Sequence, residues 1–317
     1  MTKAFPVKLL LLIAAILLFF SFAAAQKKNK QDDRVRTMTV PISIFTREEL
    51  KQKKISEFVE AGDLIVKEDG EQQIILSIRS VSEAPLELAV LIQDNLSSSV
   101  NLELKRISEF IRRLPQGSRV MVAYLRGGTM QVRQKFTDDL NKAAESLRIV
   151  FSSSNTSSNP YDGVSEAVRR FDALPAGRRA VLLVSDGLDI SHGLETFNSL
   201  QSVELDQAIL NSQRRGVAVY SFYTSSELTE GFNSRLSIIG QGMLNRLSNE
   251  TGGRAFFQGT QAPVSFDPFF KDLNLTLTRQ FALTYLSTHM KKGYHKVQIT
   301  STNPQIRIEH PEGYFYK

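Results

Sequence analysis

Four stretches constrain this chain more than anything else in it. ELAVLIQD (87–94), SRVMVAYLR (118–126), RRAVLLVSD (178–186) and GVAVYSFYT (216–224) are near-continuous apolar runs rich in Val, Leu and Ala. A strand with one wet face alternates apolar and polar residues. A run apolar at every position is buried on both faces, the condition of a strand inside a parallel sheet. Parallel strands need long crossovers, and helical patterns lie between the runs. Leu104, Ile107, Phe110, Ile111 and Leu114 fall on one helical face. Asn159-Pro160 supplies an N-cap and an N1 proline for a helix carrying Val164, Ala167, Val168 and Phe171. Ser202 opens another, Gly252 closes the helix of MLNRLSNETGG, and Asp267-Pro268 starts a last one. The order predicts an α/β fold: a doubly wound, mostly parallel sheet flanked by helices, with right-handed crossovers. TMQVRQKF (129–136), directly after a strand through Gly127-Gly128, predicts an antiparallel edge strand.

The flanks read differently. TMTVPISIF (37–45) predicts a strand, and DLIVKEDGEQQIILSI (63–78) two strands around Asp69-Gly70, a strong hairpin signal. REELKQKKISEF (47–58) fits a short helix or a charged loop. After Gln280, FALTYLST, HKVQITST and QIRIEHPEGYFYK alternate as one-sided antiparallel strands do. These terminal segments are expected to form a small antiparallel β module. The expected division is therefore a leader over 1–25, a basic spacer over 26–36, a β segment over 37–85, the α/β unit over 86–280 and a second β segment over 281–317.

The leader expectation rests on Lys3 and Lys8, an apolar run from Leu9 and Ala23-Ala24-Ala25 before Gln26, the order of a cleaved secretory signal. An uncleaved anchor is the competing reading. There is no cysteine, which removes disulfides, thiolate metal sites and cysteine-linked lipids. The formal charge is +6, or +4 once Lys3 and Lys8 leave. Its Lys and Arg are interspersed with acids, so no nucleic-acid footprint follows. Membrane contact is expected only through the leader, if that stays attached.

Two of the apolar runs end on aspartate, Asp94 and Asp186. Open α/β sheets bind ligands at the carboxyl ends of their strands. Hydroxyls surround that edge: Ser97, Ser98 and Ser99 after the first run, and Ser152 to Ser158 before Asn159. Carboxylates with hydroxyls suit a hard cation such as Mg²⁺. The plainer reading is that both acids merely cap the helices that follow them.

ELAVLIQDNLSSS, PYDGVSEAVRRF, RRAVLLVSDGLD, RRGVAVYSFYT and LNRLSNETGGRAFF, in that order, resemble the successive signatures of a von Willebrand factor type A domain. More narrowly, with the EDG hairpin before them and EGYFYK after, they resemble the exported bacterial VWFA-related proteins. The resemblance implies a metal-ion-dependent adhesion site with an Asp-x-Ser-x-Ser turn, a threonine from a second loop and an aspartate from a third. Carried over by position, Asp94 is the first aspartate, Ser98 the second serine, Ser158 stands at the threonine position with Thr156 beside it, and Asp186 is the third-loop aspartate. Leu96 holds the first serine position, and leucine has no lone pair. The implied site for Mg²⁺ or Mn²⁺ is therefore degenerate.

Other chemistries lack their motifs. There is no GxxxxGK[ST], no GxGxxG after the first strand and no G-x-S-x-G elbow. The four histidines, His192, His289, His295 and His310, are scattered along the chain. The expectation is an exported, non-enzymatic module that binds a protein partner through its carboxyl-edge loops, with weak or lost cation dependence. The alternative is a Mg²⁺-dependent hydrolase or phosphotransferase using Asp94 and Asp186. That chemistry usually needs a second acid near the first and a lysine for transferred charge, and neither is present. A two-lobed small-molecule receptor ranks last, since only one α/β unit is legible.

Overall fold

The structure is a computed structural model, and it describes residues 35–46, 63–82, 84–151, 159–175, 177–191, 202–230 and 234–316. The expected leader, the basic spacer up to residue 34, the 47–58 segment, Thr156, Ser158 and His192 lie outside the described residues.

The four apolar runs form β4 (Leu86–Gln93), β5 (Arg119–Arg126), β7 (Arg178–Ser185) and β8 (Val217–Tyr223). They sit in one sheet of order β6-β5-β4-β7-β8-β9, where β6 is Thr129–Thr137 and β9 is Ala255–Phe256. Every ladder is parallel except β5 with β6, the antiparallel edge expected from TMQVRQKF. Every residue of β4 and β8 is buried, because helices cover both faces. On one face Leu88, Val90 and Ile92 pack against α1 (Leu104–Arg112), the short α2 (Leu140–Glu145) and α6 (Asp267–Thr278). On the other, Ala89 and Leu91 meet α3 (Pro160–Arg170), α4 (Val203–Arg215) and α5 (Ser234–Thr251). This is the doubly wound α/β fold read from the sequence.

The helix starts follow local chemistry. The Asn159 side chain accepts from the N–H groups of Tyr161 and Asp162, and Ser202 accepts from that of Leu205. The α5 C-terminus shows why ETGGRAFF is so restricted. Gly252 is left-handed at φ 82°, and a Cβ there would strike Pro311. A Cβ on Gly253 would strike the Val219 carbonyl, so the chain can run against β8 only without one.

The terminal segments form a second, antiparallel sheet of order β12-β1-β10-β3-β2-β11-β13. Its strands are β1 (Arg36–Thr46), β2 (Leu64–Glu68), β3 (Glu71–Ser80), β10 (Gln280–Ser287), β11 (Gly293–Ser301), β12 (Ile306–Glu309) and β13 (Gly313–Tyr316). Asp69 (φ 49°) and Gly70 (φ 91°) make the two-residue turn between β2 and β3 with both residues at positive φ. Val40, Ile42, Val66, Leu283, Val297 and Ile299 fill its own core. Strands from both chain ends thus build one module, as expected.

The two units are tied by arginines. Arg178 donates to the Gln280 side chain (2.7 Å) and to the carbonyls of Ser82, Ala84 and Leu277 (2.9–3.0 Å). Arg254 pairs with Glu309 and lies over the Phe45 ring, 5.2 Å from its centroid.

Candidate functional site

The strand order reverses direction between β4 and β7, so a crevice opens at their carboxyl ends. Ile92 pairs with Val184 in that ladder, which sets Asp94 and Asp186 side by side just past its end. The structure brings these two aspartates to one edge. What it does with each of them differs.

Asp94 is buried, and both of its oxygens are taken. Arg148 donates Nη1–H to Oδ1 at 2.9 Å and Nη2–H to Oδ2 at 2.8 Å, a planar bidentate pair. The arginine is itself fixed. Its guanidinium lies 4.1 Å from the Tyr124 ring centroid, and Nη1 also donates to the Ile149 carbonyl. The Tyr124 hydroxyl donates to the Arg148 carbonyl and accepts from the Arg148 N–H, both at 2.7 Å. The Tyr124 phenol is raised, chiefly by burial, and Arg148 is raised, chiefly by the Asp94 hydrogen bond.

Leu96 is wholly buried and belongs to the core that includes Ile92, Val100 and Phe222. Its backbone bridges to Ser226, and the Ser97 N–H donates to the Ser225 carbonyl. The loop after β8 thus pins the turn after β4 with the leucine pointing into the protein. Ser98 is exposed and opens a 3₁₀ turn over Ser98–Glu103.

Asp186 is fully buried. Its Oδ1 accepts from the Gln93 side-chain amide at 3.0 Å and from the Leu188 N–H at 3.0 Å, and its Oδ2 has no hydrogen-bond partner. Burial pushes its carboxyl above the usual range; Ser226, close enough to favour the ionised form, makes no well-formed bond to it. Asp186 therefore closes a local turn and caps no helix: the next described helix is capped by Ser202, and Asp94 is held by Arg148, so the plainer reading of both acids as helix caps is corrected. Asp189 is a turn residue too: Oδ1 accepts from Ser191 and Oδ2 from the Ser202 hydroxyl.

Two residues of this site were not singled out from the sequence. Gln93 is buried and bridges both loops, its amide NH₂ reaching Asn95 (2.7 Å) and Asp186 while its carbonyl accepts from Ser185. A glutamine closing the apolar run 88–92 was the available signal. Arg148 gave none, since it stands 54 residues from Asp94.

An open sheet with an antiparallel edge and its acids at the switch point is a von Willebrand factor type A-like fold. Neither a family model nor a curated protein matches the chain. Among solved structures, it is similar to the conserved hypothetical protein BatB from Bacteroides thetaiotaomicron at 14% identity and a TM-score of 0.44, over 61% of this chain and 97% of that one. An aerotolerance-related membrane protein from Bacteroides fragilis shows 14% identity and a TM-score of 0.43, over 61% and 98%. A von Willebrand factor type A protein from Catenulispora acidiphila shows 12% identity and a TM-score of 0.43, over 91% and 74%. At these scores the likenesses carry no functional argument, and the fold rests on the strand order above.

Proposed function

We propose that this protein is an exported, non-enzymatic module that holds a protein partner at the carboxyl edge of its α/β sheet, without a divalent cation. The observation that carries this reading is the Asp94–Arg148 pair. Mg²⁺ wants six oxygens in near-octahedral array. Here the first carboxylate is already satisfied by a guanidinium, the first serine position is a core leucine, and the Asp186 carboxylate is committed on one oxygen to an amide and an N–H. The described donors support a site in which a tethered cation, and not a metal ion, meets the charge of Asp94.

The same loop supplies the binding surface. The Asn101 side chain pairs with both backbone groups of Val150, at 3.0 and 2.7 Å, which locks the loop after α2 against the turn after β4. Leu102, Ile149 and Phe151 flank that lock and are 75%, 57% and 70% exposed. Large apolar side chains held out on a rigid lock beside a buried ion pair make an anchor for a partner.

The test uses Gln26–Lys317 immobilised against an envelope extract of the source cell, in EDTA and in Mg²⁺. A partner retained in both buffers, and lost by a folded Ile149→Ser/Phe151→Ser variant, supports the reading. Retention in Mg²⁺ alone, or by the variant, sinks it. Export is read from the N-terminal residue of the protein recovered from its source, expected to be Gln26.

A further inference from the structure

Two of the four histidines that look scattered in the sequence meet in the β module. His289 and His295 face the hairpin Glu68-Asp69-Gly70-Glu71, with ring centroids 5.9 Å apart. His295 is buried. Its Nδ1 lies 2.7 Å from Asp69 Oδ2 and its Nε2 lies 2.6 Å from the Lys291 carbonyl oxygen. A carboxylate and a carbonyl can only accept, so both bonds exist only while the ring carries two protons. His289 is held more loosely. Its Nδ1 is 3.8 Å from Glu68 Oε1 and its Nε2 is 3.7 Å from Glu71 Oε2, within ion-pair reach but too long for hydrogen bonds. That Nδ1 is buried without a hydrogen-bond partner.

The other groups around the rings leave a charge deficit. Glu68 is completely buried; Oε1 accepts from the Ser287 hydroxyl at 3.0 Å and from the Tyr314 hydroxyl, and Oε2 has no partner. From β1, Arg36 Nη2 stands 3.6 Å from Glu68, and its Nε donates to the His289 carbonyl. From β10, the buried Tyr285 hydroxyl lies beside Glu68 and Tyr314, and Tyr314 stacks on His295 at 5.5 Å. Both tyrosines are pushed up, chiefly by burial, Tyr314 to about 12, so neither carries charge. Glu68, Asp69 and Glu71 against Arg36 leave two negative charges, which two imidazolium rings neutralise. Asp69 is lowered, the His295 and Lys296 hydrogen bonds outweighing its burial.

We propose that His289, His295 and the three acids of this hairpin form a proton-operated clasp, closed when both rings are protonated and loosened when they lose that charge. Closed, it draws the 288–295 connection onto the hairpin. It also holds the start of β1 through Arg36 and the last strand through Tyr314. In the neutral state one His295 bond is lost and the His289 ring loses its attraction to the two acids, while its backbone stays bonded to Arg36 and Ser287. The clasp therefore tightens as the pH falls and opens as it rises.

The test is amide hydrogen exchange on the full chain at about pH 5.5 and about pH 8, scaled for intrinsic exchange, with imidazole ¹H–¹⁵N spectra alongside. Peptides over 64–80 and 288–300 are expected to be roughly ten-fold better protected at the lower pH, while those of β4 and β8 do not change. His289→Gln and His295→Gln, which keep a donor without the charge, should each reduce that difference. Equal scaled protection of wild type at both pH values overturns the proposal, and needs no variant to fold. So does a low-pH gain that survives in the double variant, or a His295 ring seen as one neutral tautomer at the lower pH.

Discussion

Restoring serine at position 96 should damage this protein, not repair it. Leu96→Ser would recreate the Asp-x-Ser-x-Ser pattern in the sequence, so a reading from motif alone expects gained cation binding at little cost. The packing predicts the reverse. Leu96 has no exposed surface and lies among Ile92, Val100 and Phe222. Truncating such a leucine costs about 2–5 kcal/mol in lost transfer energy and cavity. Burying the new hydroxyl adds about 1 kcal/mol where it finds only a poor partner. A loss of about 3–6 kcal/mol, at roughly 2–4 °C per kcal/mol for a unit of this size, lowers the thermal midpoint by about 6–24 °C. The metal arm has its own arithmetic: Mg²⁺ at about 100 times its Kd would return about 2.7 kcal/mol. No return is expected, because Arg148 still holds both Asp94 oxygens. The assay is a thermal melt of wild type, Leu96→Ser and the volume-conserving Leu96→Met, in EDTA and in Mg²⁺ or Mn²⁺. A Leu96→Ser protein as stable as wild type, or one whose midpoint climbs with metal, would refute the account of Leu96 as a core residue.

Three further outcomes follow from the same geometry. Arg148→Ala leaves a buried carboxylate uncompensated and should cost about 2–4 kcal/mol; the double variant with Asp94→Ala should recover more than 1 kcal/mol of that in a urea-unfolding cycle. Asp186 has a raised folded pKa, so its ionised form costs stability at neutral pH and that cost fades as the pH falls and the group takes its proton. Asp186→Asn should therefore melt at or above wild type at pH 7, with the gap narrowing toward about pH 4. His310 is lowered, chiefly by burial, with Nδ1–H on the Pro311 carbonyl and Nε2 accepting from the Ile299 N–H. Its contribution is present above about pH 6.5 and lost as the pH falls through the lower folded value, so His310→Gln should flatten that part of the midpoint-versus-pH curve.

The α/β architecture was legible because burial on both faces leaves a mark at every position of a strand, and β4 and β8 bear it throughout. Asp69-Gly70 and Asn159-Pro160 were legible because turns and caps are local chemistry. The consecutive Phe256 and Phe257 divide as alternation demands, the first buried and the second exposed. The site was only half legible. Its acids could be placed from strand ends, but the partner of Asp94 sits on a loop whose path depends on tertiary packing. Leu96 reads as a missing ligand beside Ser97, Ser98 and Ser99, because Phe222 and the Ser226 bridge that turn it inward come from a strand and loop far along the chain. The histidine pair was missed because six residues along the chain, across the start of β11, say nothing about a hairpin that arrives from the other end of the sequence.

The construction of the β module also dictates an order of events as the chain is made. Val40 pairs with Leu283 and Ile44 with Ile308, so β1 has no neighbour that is not close to the C-terminus. The strands made first must wait for those made last, while the whole α/β unit can collapse in between on contacts of its own. Pairings across such a separation form slowly, and until they form the unpaired edge is open to other chains. For a chain delivered N-terminus first, the interval between emergence of β1 and arrival of β10 is the period of greatest aggregation risk. A holding chaperone that covered the β1 edge during that interval would protect it without shortening the wait.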